Sequence, residues 1–385
     1  SIPAPLSSSS SNRLLLAALP FNESSLPCAP PPQWLFFAIF SMPTLASMAI
    51  PEEGPVPFED ALVVIGTYLV SSPQQREEEH ADLVATLPSA LEANGVKKLR
   101  LYQGFWIRDI HVPAAIALQR QFEPRPDDVI VASLPKCGTT WLNALTFATM
   151  ARKAYPPASA DHPLRRLNPH QCLPFLEGLF KGGREAELEL LPSPRLMNTH
   201  MPLPMVPSAV PGCRVVYVCR DPKDMAVSAW HFLRRLQPDL AFAVVFESVC
   251  DGAVAFGPVW DHVLSYWRAS TAMPDKVLFL RYEELLRDPA KNVRKLARFI
   301  GMPFSAAEDE AGTVDSIVQL CSFGHLKGLD ANKTGHLDPL LPVPRDALFR
   351  NGASGDWVNH MMPEMASHLD KIVADKMRGT GLTFQ

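Results

Sequence analysis

Three short, largely apolar runs recur along the chain, at 129–132, 214–219 and 276–280, and each of the last two begins with a basic residue. Uniformly apolar, β-branched runs of this length are typical of strands that are buried on both faces of a sheet. Helical spacing of apolar positions is found in three further segments, at 141–154, 289–300 and 363–377. We therefore predict a single α/β domain with a mostly parallel sheet flanked by helices and a ligand site at the carboxyl ends of the strands.

The amino-terminal residues have a different composition. The first fifty carry only two formally charged side chains, Arg13 and Glu23, and include five consecutive serines. Such a segment cannot build a core, so we predict a disordered extension at 1–57 and a folded domain at 58–385. Richness in serine with few acids is also typical of an organelle transit peptide. The alternative that we favour is an upstream extension before a start at Met42 or Met48.

The overall composition narrows the class of protein. Of the 385 residues, 47% are apolar and 20% are charged, as in an ordinary soluble globular protein. The net charge of −4 gives no reason to expect nucleic acid or an anionic membrane as a partner. The nearest approach to a membrane span, at 34–40, is far too short. Seven cysteines without a C-x-x-C pair indicate a reducing compartment and favour neither a disulfide framework nor a zinc site.

The clearest chemical signal follows the first apolar run. The sequence DDVIVASLPKCGTTW, residues 127–141, leads from a strand through a turn with one glycine into a helix. This arrangement aims free backbone N–H groups at one point, and the helix dipole adds partial positive charge there. Lys136 adds a full charge, and Thr139 and Thr140 add hydroxyl donors, so an anion of phosphate type is expected. The order differs from a Walker A loop, in which the lysine follows the glycines.

The segment LPKCGTTW resembles the LPKSGTTW-type loop of the cytosolic sulfotransferases. In that family the loop holds the 5′-phosphosulfate of 3′-phosphoadenosine 5′-phosphosulfate (PAPS). The resemblance extends from about residue 102 to 384 and is nearest to the plant members. It implies a P-loop-like fold related to the nucleotide kinases, with PAPS as the sulfuryl donor and no metal. It also implies sulfation of a hydroxyl on a small organic acceptor, such as a flavonoid, a steroid or a hormone. The resemblance implies a cytoplasmic enzyme. The composition of the amino-terminal segment leaves organelle import as the alternative, if residues 1–41 act as a transit peptide.

The resemblance assigns the nucleotide site to several segments. The residues implied at the phosphosulfate are Lys136, Cys137, Gly138, Thr139 and Thr140. Trp141 is implied near the adenine. The segment YVCRDPKDMAVSAWHF implies that Arg220 and Ser228 hold the 3′-phosphate, which a guanidinium fork grips well. Independently of the resemblance, Asp221 followed by Pro222 is a favourable helix start.

Later segments complete the implied nucleotide site. Tyr282 is implied to contact the nucleotide, and the segment CSF implies that Ser322 and Phe323 approach the 3′-phosphate and the adenine. The segment FRNGASGDW resembles the FRKGxxGDW loop that closes over the 3′-phosphate in the family. The residues implied in this loop are Arg350, Asn351 and Gly352.

The catalytic residues implied are His200 and Lys136. His200 lies in THMP, which resembles the THLP segment whose histidine is the general base of the family. Its spacing alone is compatible with a purely structural role. Lys136 is expected to neutralise charge on the leaving phosphosulfate oxygen. The aromatic residues considered for the acceptor pocket are Phe105 and Trp106, in the strand YQGFWI, and Phe175 and Phe180. Core packing is the alternative for the first two.

Four positions depart from the pattern of the family. Cys137 replaces serine, which exchanges a hydroxyl donor for a weaker thiol. Asn351 replaces lysine, which removes one positive charge and predicts weaker cofactor binding. Asn198 stands where many animal members carry lysine, so it receives no catalytic role. With Val358 in place of another lysine, the short dimer motif of animal members is not recognisable, and the oligomeric state is left open.

Two alternatives come from other classes of protein. A nucleotide-dependent kinase would share the fold but needs Mg²⁺ held by a carboxylate at a strand end. The residue that follows 214–219 is Arg220, which suits a phosphate, although Asp221 comes next. The other alternative is a non-catalytic protein that binds PAPS or its product, as Cys137 and Asn351 would allow. The presence of both Lys136 and His200 argues against it.

Overall fold

The computed structural model describes residues 54–65, 80–93, 95, 97–208, 211–338 and 341–384. These residues belong to one compact unit, Ala49–Gln385. The predicted extension, the candidate transit peptide and the two candidate start methionines lie outside the described residues, except for 54–57. Within that short stretch Gly54, Pro55 and Pro57 are buried.

The described part of the chain contains nine strands. They are β1 Ser89–Leu91, β2 Lys98–Tyr102, β3 Phe105–Arg108, β4 Val129–Ser133, β5 Leu196–Thr199, β6 Arg214–Cys219, β7 Val277–Arg281, β8 His336–Asp338 and β9 Leu341–Pro344. The central sheet has the order β5-β4-β6-β7, and all of its pairs are parallel. Strands β1 to β3 form a separate antiparallel sheet, and β8 pairs with β9. The predicted α/β domain with a mostly parallel sheet is confirmed.

Helices connect and cover these strands. They are α1 Phe58–Ile65, α2 Ala81–Thr86, α3 Val112–Gln121, α4 Thr139–Met150, α5 Pro169–Cys172, α6 Leu176–Lys181, α7 Pro222–Leu233, α8 Phe242–Cys250, α9 Val259–Ala272, α10 Tyr282–Arg287, α11 Pro289–Phe299, α12 Ala306–Glu310, α13 Thr313–Leu320, α14 Phe323–Gly328 and α15 Pro363–Met377. Short 3₁₀ turns occur at Asp109–His111, Pro163–Arg165, Glu185–Leu190, Leu203–Met205, Asp330–Asn332, Arg345–Leu348 and Asp356–Asn359. None of the helices in the described residues is long and apolar enough to cross a membrane.

The central sheet separates two hydrophobic cores. Alternate residues of β4 point to opposite faces, so Ile130 packs in one core and Val131 in the other. All five residues of β4 are buried, as are the last five of β6. The prediction that these apolar runs are strands buried on both faces is therefore confirmed.

The segment YQGFWI was predicted as one strand, and this prediction is wrong. It contains the turn of a hairpin, in which Tyr102 of β2 pairs with Phe105 of β3. The two turn residues, Gln103 and Gly104, have φ values of 49° and 85°. Two-residue hairpin turns with positive φ at both positions match the right-handed twist of the strands, so the chain reverses there.

The predicted helices are confirmed with shifts at their ends. The helix expected at 141–154 spans Thr139–Met150, because Gly138 ends the preceding turn with φ 106° and the helix begins at the next residue. The helix expected at 289–300 ends at Phe299, and the one at 363–377 has the predicted bounds. The carboxylate of Asp221 accepts a hydrogen bond from the backbone N–H of Lys223 at 2.8 Å, which confirms it as the cap of α7.

Candidate functional site

The carboxyl ends of the four parallel strands open into one cavity of about 1040 Å³. His200, Arg220 and Tyr282 are the residues that directly follow β5, β6 and β7. Lys136 lies in the turn between β4 and α4. All four line the cavity, because the ends of parallel strands meet at the same edge of a sheet.

The turn between β4 and α4 has a backbone suited to an anion. Lys136 has φ 70° and Gly138 has φ 106°, conformations that side chains with a Cβ rarely adopt. A Cβ at Gly138 would lie 2.7 Å from the ring of Tyr282, so only glycine fits between the turn and this ring. The turn therefore brings backbone, the start of α4 and the side chain of Lys136 to one wall of the cavity.

The hydroxyls of this turn already have protein partners. Thr139 Oγ1 lies 2.6 Å from Ser133 Oγ, so this hydroxyl ties α4 to the end of β4. Thr140 Oγ1 lies 2.9 Å from Nε2 of His170, which also lines the cavity. Sequence reasoning missed His170, because the short helix α5 that carries it has no clear period.

Cys137 lies behind the turn. Its side chain is buried in the hydrophobic core and does not line the cavity. Its backbone N–H donates to the carbonyl oxygen of Leu134 at 3.2 Å. Burial raises the pKa of the thiol to about 12, so the sulfur stays protonated. The exchange of serine for cysteine thus affects the packing of the turn and adds no group to the cavity wall.

Arg220 joins the turn to the carboxyl-terminal part of the chain. Its guanidinium donates to the carbonyl oxygens of Lys136 at 3.3 Å and of Ala353 at 2.9 Å. It also lies over the ring of Tyr282, 4.6 Å from the centroid. Ser228, two turns along α7, is buried and lines the same wall. Arg220 and Ser228, which the sequence analysis placed at a 3′-phosphate, therefore line the same cavity.

The loop 349–357 is fixed by Asp224, a residue that sequence reasoning did not select. The carboxylate of Asp224 accepts hydrogen bonds from Gly355 N–H at 2.6 Å, Trp357 N–H at 3.1 Å and the hydroxyl of Ser354 at 3.2 Å. Its exposed fraction is 1%, and it lies 4.0 Å from the guanidinium of Arg220. The spacing of Asp224 four residues after Arg220 was the available signal.

Within that loop the three predicted residues line the cavity in different ways. Arg350 donates to Asp356 at 2.5 Å, which fixes its side chain. Gly352 has φ 69°, and a Cβ there would lie 2.4 Å from the ring of Phe323, so the backbone rests on that ring. Asn351 is exposed at the rim of the cavity.

The aromatic residues expected at the nucleotide, Trp141, Tyr282 and Phe323, all line the cavity. Trp141 and Tyr282 meet edge to face with their centroids 5.7 Å apart. Phe323 begins α14, and the hydroxyl of Ser322 caps this helix by accepting from His325 N–H at 3.3 Å. All four residues line the cavity, which gives it an apolar, flat end next to a basic one.

The basic end is strongly desolvated. Burial, together with the smaller effects of the guanidinium groups of Arg220 and Arg350, lowers the pKa of Lys136 to about 7. The ammonium lies 4.1 Å from the ring centroid of Phe232, which offers a favourable but uncharged contact. Three basic side chains held together in this way form a site for a multiply charged anion.

His200 is held in one tautomer. Its Nδ1 lies 2.7 Å from the carbonyl oxygen of Ser133, which can only accept a hydrogen bond. Nδ1 therefore carries the proton and Nε2 keeps its lone pair. Burial lowers the pKa of His200 to about 4, with a smaller contribution in the same direction from Arg108 and Lys136. The imidazole is thus neutral, and free to accept a proton, at ordinary pH.

The backbone N–H and the backbone carbonyl of His200 are both held by buried residues. Its N–H donates to Glu177 Oε1 at 2.5 Å, and its carbonyl oxygen lies 3.0 Å from Nε2 of His262. Nδ1 of His262 in turn meets the hydroxyl of Tyr217 at 3.0 Å. Glu177, whose exposed fraction is 0%, has its pKa raised to about 7 by burial. Neither Glu177 nor His262 was selected from the sequence.

The aromatic residues considered for the acceptor pocket divide into two groups. Phe175 lies against His200, with ring centroids 5.3 Å apart, and lines the cavity. Phe105 and Phe180 are buried in the core and do not line it. Trp106 does not line the cavity, and its backbone forms hydrogen bonds with the backbone of Phe256 and Gly257. Phe256, which was not selected from the sequence, also lines the cavity, 5.7 Å from His200.

Comparison with known proteins identifies relatives of this arrangement. Residues 126–381 match the family described as "Sulfotransferase domain". Cytosolic sulfotransferase 5 of Arabidopsis thaliana is 42% identical over 315 residues, which cover 80% of this chain and 97% of that protein. Cytosolic sulfotransferase 8 of the same plant is 43% identical over 312 residues, covering 79% and 93%.

Solved structures agree with these relatives. A candidate steroid sulphotransferase of Arabidopsis thaliana superposes with a TM-score of 0.65 and 33% identity, over 83% of this chain and 99% of that one. The mouse sulfotransferase SULT7A1, whose structure is a complex with PAP, gives a TM-score of 0.57 and 27% identity over 74% and 95%. With an identity above 40% over most of its length, this chain belongs to the plant cytosolic sulfotransferase family.

Proposed function

We propose that the protein transfers the sulfuryl group of PAPS to a hydroxyl of a small organic acceptor, with His200 as the general base and Lys136 stabilising the leaving group. The observation that carries this proposal is the position of His200. A neutral imidazole with an uncommitted Nε2 lines the same cavity as the phosphate-binding turn, because its Nδ1 is bonded to Ser133 at the start of that turn.

The reaction can be written with these residues alone. Nε2 of His200 removes the hydroxyl proton of the acceptor while the acceptor oxygen forms its bond to sulfur. The bond between sulfur and the bridging oxygen of PAPS breaks, and the electron pair stays on the 5′-phosphate of the product, adenosine 3′,5′-diphosphate (PAP). Lys136 and the start of α4 stabilise the negative charge that develops there.

Recognition of the donor belongs to the other wall. Arg220, Ser228 and Arg350 are proposed to hold the 3′-phosphate, while Trp141 and Phe323 flank the adenine. PAP in the mouse structure is the product of the donor that we propose for this chain. Because the 3′-phosphate is held at a distance from the reacting sulfur, its contacts orient the donor for transfer.

The kinase alternative is disfavoured by the roles of the carboxylates at the strand end. Asp221 caps α7 and lies near Lys223, and Glu283 accepts a hydrogen bond from Asp221 N–H at 3.0 Å. These contacts use the carboxylates for structure. The alternative of a non-catalytic binder is disfavoured by the uncommitted Nε2 of His200.

An acceptor panel tests the proposal directly. The purified full chain is incubated with PAPS labelled with ³⁵S and a set of flavonoids, steroids and hydroxylated carboxylic acids, and labelled products are separated. We expect transfer to at least one hydroxyl-bearing class, and loss of transfer with His200→Ala. Transfer of phosphate from ATP in the presence of Mg²⁺, without any transfer of sulfate, would contradict the proposal and support the kinase.

Nucleotide binding supplies a second, independent test. PAP differs from AMP by the 3′-phosphate, so we expect PAP to bind more tightly by at least roughly tenfold per charged contact. Arg220→Ala should weaken PAP much more than AMP. Asn351→Lys should strengthen PAP, since it adds a positive charge at the rim of the cavity. Calorimetric titration of the three proteins measures these affinities, and equal binding of AMP and PAP by the unmodified protein would reject the donor assignment.

The cellular location stays a prediction. Relatives are named as cytosolic sulfotransferases, and we propose the same location for this protein. Localisation of a fluorescent fusion with and without residues 1–41 tests whether that segment directs import.

A further inference from the structure

His111 is a buried histidine at the acceptor end of the cavity that the proposed reaction does not use. It ends the 3₁₀ turn Asp109–His111, its exposed fraction is 4%, and it lines the cavity. Its Nδ1 is buried and has no hydrogen-bond partner among the described residues. A buried polar group without a partner is costly, so such a group in a cavity wall is suited to a ligand.

The ring of Phe256 connects His111 to the proposed base. Its centroid lies 5.7 Å from that of His200 and 6.1 Å from that of His111, and it stacks on His111 at an interplanar angle of 23°. The ring centroids of His111 and His200 can therefore be no farther apart than the sum of these two distances, which is about the length of a biphenyl molecule. Phe256 provides a flat apolar wall between two imidazoles.

The backbone at Phe256 is held in an unfavourable conformation. Its φ of 65° lies in the left-handed region, which bulky side chains seldom adopt. Two hydrogen bonds keep it there: Phe256 N–H donates to Trp106 O, and Trp106 N–H donates to Gly257 O, both at 2.7 Å. Strained conformations that the surrounding structure imposes are often found at binding sites. The position of this ring is thus built into the fold.

Burial, with a smaller effect from nearby cationic groups, keeps the imidazole of His111 neutral. Burial lowers its pKa to about 3, and Arg108, Lys181, Lys97 and His200 act in the same direction. Arg108 is itself paired with Glu92 at 2.7 Å. A neutral imidazole has one N–H donor and one acceptor lone pair, so it can bond to a hydroxyl, a carbonyl or an ether oxygen.

We propose that the acceptor of this sulfotransferase carries a second polar group that hydrogen-bonds to His111, on a flat apolar body that lies against Phe256. This inference rests on the proposed function and adds the class of acceptor to it. One hydroxyl of the acceptor meets His200, and Phe175 and Phe256 contact the rings between the two ends. His111 is then a residue that determines specificity and takes no part in the proton transfer.

Matched acceptors test this assignment. One series is 4-hydroxybiphenyl, 4-hydroxy-4′-methoxybiphenyl and 4,4′-dihydroxybiphenyl; a second is 2-naphthol and 2,6-dihydroxynaphthalene. We expect the acceptors with a second oxygen to have a kcat/KM higher by about tenfold in at least one series, mostly through KM, because the contact stabilises ground state and transition state alike. 4,4′-Dihydroxybiphenyl has two hydroxyls that can react, which by itself doubles its kcat/KM. The methoxy compound has only one reactive hydroxyl, so its kcat/KM is free of this doubling.

The variant His111→Phe keeps a flat ring against Phe256 and removes both nitrogens. We expect it to reduce the tenfold preference for a second oxygen to within about twofold, as measured by the ratio of kcat/KM between the paired acceptors. His368→Phe, on the exposed side of α15, is the matched control and should keep the full preference. Melting temperature and PAP affinity establish that each variant is folded.

Binding of the same compounds to the complex with PAP is measured by calorimetry, which needs no turnover. A preference that persists in His111→Phe, or the absence of any preference in both series, overturns the role of His111. The two proposals can fail separately. If the binding preference is present but the labelled sulfuryl group is transferred to none of the acceptors, the inference about His111 stands and the proposed catalytic function fails.

Discussion

The Nδ1–H group of His200 donates a hydrogen bond to the carbonyl oxygen of Ser133, with 2.7 Å between nitrogen and oxygen. Ser133 is the last residue of β4, and the anion-binding turn follows it directly. This hydrogen bond joins the imidazole of the proposed base directly to the strand that leads into the proposed phosphate site. The bond selects the tautomer and the direction of the reactive lone pair together, so the base is prepared before either substrate binds.

The first prediction concerns this base. His200→Ala should lower kcat by roughly 10²–10⁴, the usual contribution of a positioned acid–base group, while PAP affinity changes little. Steady-state kinetics and calorimetric titration measure the two quantities. His368→Ala, an exposed histidine on α15, serves as the control. Turnover near that of the unmodified enzyme would remove His200 from the mechanism.

The second prediction follows from the lowered pKa of Lys136. The phosphates of bound PAP stabilise the charged ammonium, so binding raises a pKa that is about 7 in the free protein. PAP affinity should then be highest below pH about 7 and fall above it, by up to about tenfold per pH unit. Between pH 8 and 9 the phosphates themselves are almost fully ionised, because their second pKa is about 6.

Proton uptake gives the sharpest measurement of this effect. Titration of PAP at pH 8 in buffers with different ionisation enthalpies should reveal uptake of close to one proton. Lys136→Arg, whose side chain stays charged at this pH, is the matched variant and should take up none. An uptake that is equal in both proteins would show that another group titrates.

The third prediction concerns the anchor of the loop 349–357. Asp224→Asn leaves only one acceptor oxygen for three donors, so the loop should open more often. We expect PAP affinity to fall by about tenfold, mainly through faster dissociation. Stopped-flow fluorescence of PAP release measures the rate. Asp370 is an exposed residue of α15 that pairs with Lys223. The control variant Asp370→Asn should therefore leave the rate of PAP release unchanged. Dissociation at an unchanged rate in Asp224→Asn would contradict the anchoring role.

The fourth prediction concerns Glu177 and the dependence of stability on pH. Its pKa is raised from 4.5 to about 7, so between these values the folded state binds more protons than the unfolded chain. The contribution of this proton to the free energy of unfolding is complete below pH 4.5 and is lost as the pH rises through about 7. Glu177→Gln should remove the part of the decline in the free energy of unfolding that comes from this carboxyl.

Urea unfolding at pH 5 and pH 7.5 measures the decline for each protein. Glu364→Gln, in the exposed first turn of α15, is the matched control and should follow the unmodified protein. The same loss of stability in Glu177→Gln as in the unmodified chain would mean that the carboxyl of Glu177 does not titrate in this range.

The main strands and the turn between β4 and α4 were predictable because their signals are local. Each buried strand is a continuous apolar run, and the turn combines its lysine, glycine and threonines within a few residues. Strand β5 was not predicted, because its sequence LMNT contains polar residues and is only four residues long. The hairpin turn at Gln103 and Gly104 was missed because the aromatic residues on both sides suggested one continuous strand.

Contacts between distant segments could not be predicted. Glu177 lies 23 residues before His200 in the chain, and Ser133 lies 67 residues before it. Nothing in a buried glutamate or a backbone carbonyl marks it locally as a partner of the base. Phe256 and His111 were missed for the same reason, since an isolated aromatic or histidine is compatible with ordinary core packing.

Gly138 and Gly352 each rest on an aromatic ring, so the donor half of the cavity is shaped by backbone at positions where no side chain fits. The proposed acceptor half is lined by the side chains of Phe175, Phe256 and His111, which lie outside the central strands. If the acceptor binds there as proposed, single replacements at these three positions change the compounds that are sulfated and leave the donor requirement unchanged. For protein engineers, the same division means that libraries aimed at new acceptors should vary these positions and leave both glycines fixed.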